Sequence, residues 1–228
     1  MDFLPGELLI AAPVERIPEI LGKAHAALHR QDPQILVTAL KEQGIGEDRR
    51  SLSSQADWGL RAATEFPWIL DGVDWLLAHR PSEPAARAIC HGDLHPLNVL
   101  VQDAAVTGLL DWSDCVIAEP AWDVANTILR ITMPFKYLVS PRLGAAFASV
   151  DWDEMAQTYV EVYREQKPSG TANLDYYRAR QSIVALVEGT RGHPVWCYPP
   201  VVRDLIGIVQ HITGVRITMP DQPSGRES

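Results

Sequence analysis

Apolar positions recur with a helical period in several windows of the chain. Ile17, Ile20, Leu21, Ala24 and Leu28 form one stripe and predict a helix over Ile17–His29. Phe66, Ile69, Leu70, Val73, Leu76 and Leu77 form another, over Phe66–His79, with Arg80-Pro81 at its exit. Met155, Tyr159 and Val162 predict a helix capped by Asp151 or Asp153 and running to about Glu165. Tyr176, Ala179, Ile183 and Leu186 predict one over Asn173–Val187. Shorter helices are expected at Gln34–Glu42, Val201–Ile212 and Trp122–Ile131. The last has Ala125 and Leu129 inward, and Pro134 interrupts it.

Between residues 88 and 110 the pattern changes. Ala88-Ile89-Cys90, Val99-Leu100-Val101 and Val106–Leu110 are short apolar runs bounded by turn residues, and read as strands. Gln102-Asp103 reads as the turn between the last two. Pro5-Gly6 marks an early turn, and Leu138–Val150 a mixed connector. Gln43–Ser54 is polar; its glycines complete neither a phosphate loop nor a G-x-G-x-x-G, so it reads as a surface turn. Short strands among many helices predict an α+β fold.

With 228 residues and 46% hydrophobic content, the chain can bury a core. There is no internal repeat and no clear linker, so one folded body is expected. The formal charge is −9, and sixteen of the twenty cations are Arg. No basic tract offers a nucleic-acid groove. Cys90, Cys115 and Cys197 lie far apart, without metal-pair or disulfide-scaffold spacing, which fits a reducing, cytoplasmic setting. Asp2 and Glu7 leave no basic leader region, and no apolar run approaches a membrane span.

The chemistry concentrates in Cys90–Leu100 and Gly108–Trp112. A strand, turn and strand there can bring Asp93, Asn98 and Asp111 to one end of a small hairpin. A carboxylate and an amide oxygen suit Mg²⁺, which takes one or two carboxylates along with substrate phosphates and waters. A second carboxylate, off the metal, can orient a hydroxyl and take its proton. Asp111 follows Gly108-Leu109-Leu110 and is expected near a core boundary, where magnesium would compensate its charge. His91, Asp93 and His95 also spell H-x-D-x-H, a set that a transition-metal hydrolase could use. That alternative leaves Asn98 unexplained. Ser113 lacks the G-x-S-x-G elbow. His25 and His29, four apart, could bind a metal; a packed or exposed pair is the plainer reading.

His91-Gly92-Asp93-Leu94-His95-Pro96-Leu97-Asn98 and Leu110-Asp111-Trp112 resemble the aminoglycoside phosphotransferase family, a kinase-like group that includes choline, homoserine and macrolide kinases. The resemblance implies Asp93 as catalytic base, with His95 supporting the base or the bound phosphate. It implies Asn98 and Asp111 as ligands of magnesium and hence of ATP. His91 would brace the loop. The segment Ala118–Ala125 also resembles the family, with Asp123 as a cap or a loop brace. The common family form has Gly where this chain has Leu97; a positive φ there would make Leu costly. Asp114 and Glu119 are expected on the substrate side. The segment from His91 to Asp123 holds six acids and no Lys or Arg, a field compatible with an amine-bearing acceptor.

Leu4-Pro5-Gly6 resembles the family hinge, so residues 1–12 read as a hinge-like segment, 13–218 as the C-terminal lobe and 219–228 as a polar tail. The implied fold is the mostly helical C-terminal lobe of a kinase-like enzyme, with a small β-hairpin carrying the catalytic loop. The N-terminal β-rich lobe of the family pattern, with its strand lysine, is not found in the sequence. The expected function is ATP- and Mg²⁺-dependent phosphoryl transfer to a small-molecule alcohol, with neither nucleic acid nor membrane as partner. The alternative is a shortened, catalytically weak protein that binds a ligand or partner. Apolar surface left by the missing lobe would then face that lobe or a second copy.

Overall fold

The stripes of apolar residues become helices that pack on one another. The computed structural model describes residues 4–44, 61–81, 87–139 and 145–219. Its longer helices are α1 (Ile17–Leu28), α2 (Pro33–Glu42), α3 (Leu70–Ala78), α4 (Pro120–Pro134), α5 (Trp152–Gln166), α6 (Leu174–Thr190) and α7 (Pro199–Thr213). The strands are β1 (Glu7–Leu8), β2 (Ala88–Cys90), β3 (Val99–Gln102), β4 (Ala105–Leu109) and β5 (Val116–Ala118). Of the surface turn expected over Gln43–Ser54, residues 45–54 lie outside the described residues, as do residues 220–228 of the tail expected over 219–228. No described helix is long and apolar enough to cross a membrane.

The strands form two small antiparallel sheets. In one, β3 lies between β1 and β4; in the other, β2 pairs with β5. The register sets Val99 opposite Leu109 and Leu100 opposite Gly108, with a bulge at Leu100/Val101. β1 and β5, two and three residues long, escape the sequence pattern. Their partners define them: Leu8 pairs with Leu100, and Ile117 with Ile89. At the hinge-like segment, Thr107 Oγ1 donates to the Pro5 carbonyl at 2.5 Å.

α4 is the spine. Val124 and Ile131 pack with Ile17 and Leu21 of α1, Tyr159 and Tyr163 of α5, and Leu94 and Val99 of the loop region. Leu129 and Met133 pack with Val73 of α3, Ile183 and Leu186 of α6, and Leu205 and Val209 of α7. Ala121, Trp122 and Ala125 close on Cys90 and Tyr177. Each fully buried aliphatic side chain contributes about 1.5–3 kcal/mol. α6 is therefore buried nearly all round, and an amphipathic pattern understates its burial.

Several expectations change in detail. α3 packs through Val73 and Leu76, with Ile69 just before it, which leaves Leu70 and Leu77 exposed. Pro134 does not end the helix. α4 runs through it into a π-helical turn, Phe135–Val139, and the wider turn accommodates a residue that has no N–H to donate. Asp151 is the cap of α5, accepting from Asp153 N and Glu154 N at 3.0 Å. Asp32 caps α2 in the same way.

Candidate active site

β2 delivers the chain into the loop at His91. Gly92 has φ +84°, and a Cβ there would sit 2.3 Å from the Asp114 carbonyl oxygen. Both facts require glycine. Asp123, in the first turn of α4, holds this turn from beneath: its fully buried carboxylate accepts from His91 N at 2.5 Å and Gly92 N at 2.9 Å. Asn126, one helical turn on, donates to the Gly92 carbonyl.

The same carboxylate faces α1. Nε2 of His25 and of His29 lie 3.0 and 3.2 Å from Asp123 Oδ2. Their Nδ1 atoms lie 2.6 and 2.7 Å from the Tyr159 and Tyr163 hydroxyls. An ionised carboxylate can only accept, so both Nε2 atoms donate to it, and in a neutral imidazole Nδ1 then accepts from the tyrosine hydroxyl. Burial pushes the Asp123 carboxyl up, but His25 and His29 outweigh it and hold it far below the carboxylate range. Burial, joined by neighbouring His25, lowers His29 to about 4. His25, His29 and Asp123 have the residue types and closeness of a metal site. Here their nitrogens and oxygens satisfy one another by hydrogen bonds, so the cluster is a closed brace that needs no ion.

His91 ties the loop to the hairpin. Its Nε2–H donates to the Leu110 carbonyl at 2.8 Å, and its Nδ1 accepts from Asp93 N at 3.3 Å. Burial lowers its pKa, which matches this neutral tautomer. Leu110 N in turn donates to the Asn98 carbonyl at 2.8 Å. Asp111 therefore emerges beside Asn98. Its φ is +56°, a left-handed value that Asp tolerates better than most residues. Its Oδ1 accepts from Ser113 Oγ at 2.8 Å. Asp111 is exposed rather than at a core boundary: the hairpin carries Leu109 and Leu110 onto the body, and the reversed backbone then turns the next side chain outward.

Asp93 is half-buried. Asn98 Nδ2 donates to its carbonyl at 2.9 Å and lies 3.4 Å from Oδ2. His95 Nε2 lies 3.5 Å from the same oxygen. Arg130 Nε is 2.9 Å from Oδ1, but the angles make no hydrogen bond and both atoms are buried without one. Burial raises the Asp93 carboxyl, while His95 and Arg130 more than reverse this and keep it below its ordinary value. Leu97 does not have a positive φ, so its side chain costs the backbone nothing, and it packs against the core.

The fold thus puts Asp93, His95 and Asn98 in mutual contact and pins Asp111 beside them through main-chain bonds. Arg130 escaped the sequence reading. Its signal is the spacing on α4, where Asp123, Asn126 and Arg130 fall on one helical face beneath the loop.

A cavity of about 460 Å³ opens next to Gly92. Asp114 lines it; Glu119 does not. Glu119 is buried, and its two oxygens accept from Asn173 Nδ2 and the Tyr177 hydroxyl, both at 2.9 Å. The substrate-side expectation for Glu119 is corrected accordingly: it anchors α6 to the start of α4. Nor is the cavity wall purely acidic, because α4 and α6 bring in Arg130 and Arg180 from outside the acidic stretch.

A mostly helical body with small antiparallel sheets and this loop is the architecture of a kinase-like phosphotransferase lobe. The chain belongs to the phosphotransferase enzyme family, whose model matches residues 1–157. It is similar to the uncharacterized protein YcbJ of Bacillus subtilis (strain 168), with 40% identity over 57 residues, 25% of this chain and 16% of that protein. Among solved structures, it resembles a thermostable mutant of aminoglycoside phosphotransferase APH(4)-Ia in ternary complex with ADP and hygromycin B, at TM-score 0.52 and 17% identity over 93% of this chain and 67% of that one. Macrolide 2'-phosphotransferase type I matches at TM-score 0.50 and 19% identity, over 94% of this chain and 64% of that one. Macrolide 2'-phosphotransferase MphH from Brachybacterium faecium matches at TM-score 0.50 and 18% identity, over 98% and 70%. At these identities the structures speak for the fold, and the chain spans about two thirds of their length.

Proposed function

We propose that the protein is a small-molecule phosphotransferase that moves the γ-phosphoryl group of ATP to an acceptor hydroxyl. The observation that carries this is the meeting of Asp93 and Asn98 in one loop, with Asp111 fixed beside them by the Leu110–Asn98 main-chain bond. Asn98 turns its amide nitrogen to Asp93, which leaves Oδ1 for a hard cation. With the Asp111 carboxylate, that oxygen would hold Mg²⁺, whose chemistry is to neutralise and align the nucleotide phosphates. Both groups are oxygen donors on a water-accessible rim, so the donor set fits the ion.

Asp93 is the general base in this reading. It is held ionised, so it accepts the hydroxyl proton as the new O–P bond forms and the bond to the ADP oxygen breaks. A weakly basic carboxylate suits a late transfer, after the attacking oxygen has become acidic. His95 orients Asp93, while His91 and Asp123 hold the loop. The wide spacing of the three cysteines along the sequence favours a cytoplasmic setting.

A second reading has its own support. Leu4, Leu8, Val106 and Trp112 are exposed at 36–43% on the hairpin sheet and its rim. A surface of that kind suits a partner or second copy, and the protein would then be a binding module. Magnesium-dependent nucleotide binding and phosphoryl transfer across a panel of alcohols separate the two. Transfer that is lost in Asp93→Ala while nucleotide binding persists supports the enzyme. An absence of nucleotide binding at high protein concentration overturns it in favour of the module.

A further inference from the structure

The cavity next to Gly92, whose lining includes the Arg130 that reaches Asp93, carries its charges unevenly. Its lining draws Arg61, Arg130 and Arg180 from three segments, against Asp114 and Glu188. Arg61 and Asp114 are exposed, Arg130 and Glu188 are half-buried, and Arg180 is buried at 9% exposure. The most enclosed charge of the lining is thus a guanidinium. Arg180 Nη1 donates to Gln181 Oε1 at 2.6 Å, and Gln181 also lines the cavity. Desolvation pulls Arg180 down to about 10. Arg130 lies 5.5 Å from the Trp196 ring centroid while reaching Asp93. Arginine is suited to such a place: its planar fork meets two oxygens of a carboxylate or phosphate at once.

The Arg130–Asp93 contact is a further clue. The two charges sit 2.9 Å apart, yet Nε and Oδ1 are buried without hydrogen-bond geometry. Such a contact is drawn together by charge and not by fit. An anion in the cavity would offer Arg130 a better-aligned partner and leave Oδ1 of Asp93 to an acceptor hydroxyl.

We infer that this cavity seats an acceptor bearing a carboxylate or phosphate in addition to the reacting hydroxyl, with Arg130 and Arg180 holding the anionic group. The inference rests on the phosphotransferase reading and names its acceptor class. A volume of about 460 Å³ accommodates a molecule the size of one sugar. Trp122 and Trp196 line the cavity and give a readout that needs no turnover.

The test titrates the purified protein with gluconate, glucose 6-phosphate, glucose and glucosamine, read by tryptophan fluorescence and calorimetry. The anions are expected to bind about tenfold or more tightly than glucose, with glucosamine no better than glucose. Comparing gluconate with glucose 6-phosphate tells carboxylate from phosphate. Arg130→Gln and Arg180→Lys, the latter keeping the charge while removing the fork, should each reduce the anion preference about tenfold, with folding checked by circular dichroism. Equal binding of glucose and the anions, tighter glucosamine, or an anion preference untouched in both variants overturns the inference. Magnesium-dependent ADP binding, measured in parallel, judges the phosphotransferase reading separately. Anion preference without ADP binding would sink that reading and leave the anion site standing.

Discussion

The carboxylate of Asp123 lies 2.5 Å from the backbone nitrogen of His91, two residues before the proposed base. One buried side chain on α4 therefore sets the course of the loop that carries Asp93. Asp123→Ala would leave two loop N–H groups and two imidazole donors buried without their acceptor. We expect a loss of about 3–5 kcal/mol, the scale for breaking a buried charged set. Urea unfolding checks it; an effect under about 1 kcal/mol would show that the brace is dispensable.

His29 gives the brace a pH dependence with a definite sign. Its ordinary pKa of 6.5 falls to about 4 in the fold, because burial disfavours its charged form. Between these values the unfolded chain binds a proton that the folded chain does not. Stability therefore falls as pH falls from about 6.5 to 4, by at most about 1.4 kcal/mol per pH unit, and this contribution levels off below. The stability that Asp123 contributes through its lowered pKa is kept through that window and is lost only at more acidic pH. Urea midpoints measured across the window should slope, and the slope should shrink in His29→Gln. A flat profile in the parent protein would contradict the assignment.

At the site itself, Asp93→Asn keeps the shape and removes the base. Phosphoryl transfer should drop by about 10²–10⁴-fold. Magnesium-dependent nucleotide binding should stay within a few-fold of the parent. Transfer at the parental rate would remove Asp93 from the mechanism.

Asp111→Ala addresses the metal side. The magnesium concentration for half-maximal nucleotide binding should rise about tenfold or more, because water replaces a carboxylate ligand. An identical magnesium response in variant and parent would show that Asp111 does not hold the ion.

Leu97 yields a prediction that runs against the common family residue. Its backbone needs no glycine, and its side chain packs on the core. Leu97→Gly should therefore destabilise the fold by about 1–3 kcal/mol. A stabilising effect in thermal unfolding would mean that the loop is strained at this position.

The sequence discloses elements whose own residues suffice to define them. The stripe on α1, the cap at Asp151 and the runs at Ala88–Cys90 and Val99–Val101 are local signals, and the fold uses them as such. The grouping of Asp93, Asn98 and Asp111 is legible because a loop and a tight hairpin leave little freedom between them. What the sequence conceals depends on partners far along the chain. β1 exists because β3 is beside it, Glu119 is drawn inward by Asn173 and Tyr177, and His25 finds Asp123 across 98 residues. Arg130 stayed hidden for the same reason: a charge on a helix is ordinary until the fold sets it against a carboxylate.

Asp93 follows the end of β2, whereas Asn98 and Asp111 flank β3 and β4 of the other sheet. The groups that would activate the acceptor and those that would grip the nucleotide thus come from two sheets, joined by the His91 imidazole on the Leu110 carbonyl and by the Asn98 amide on the Asp93 carbonyl. Their spacing is therefore a property of the seam between the sheets and belongs to neither sheet alone.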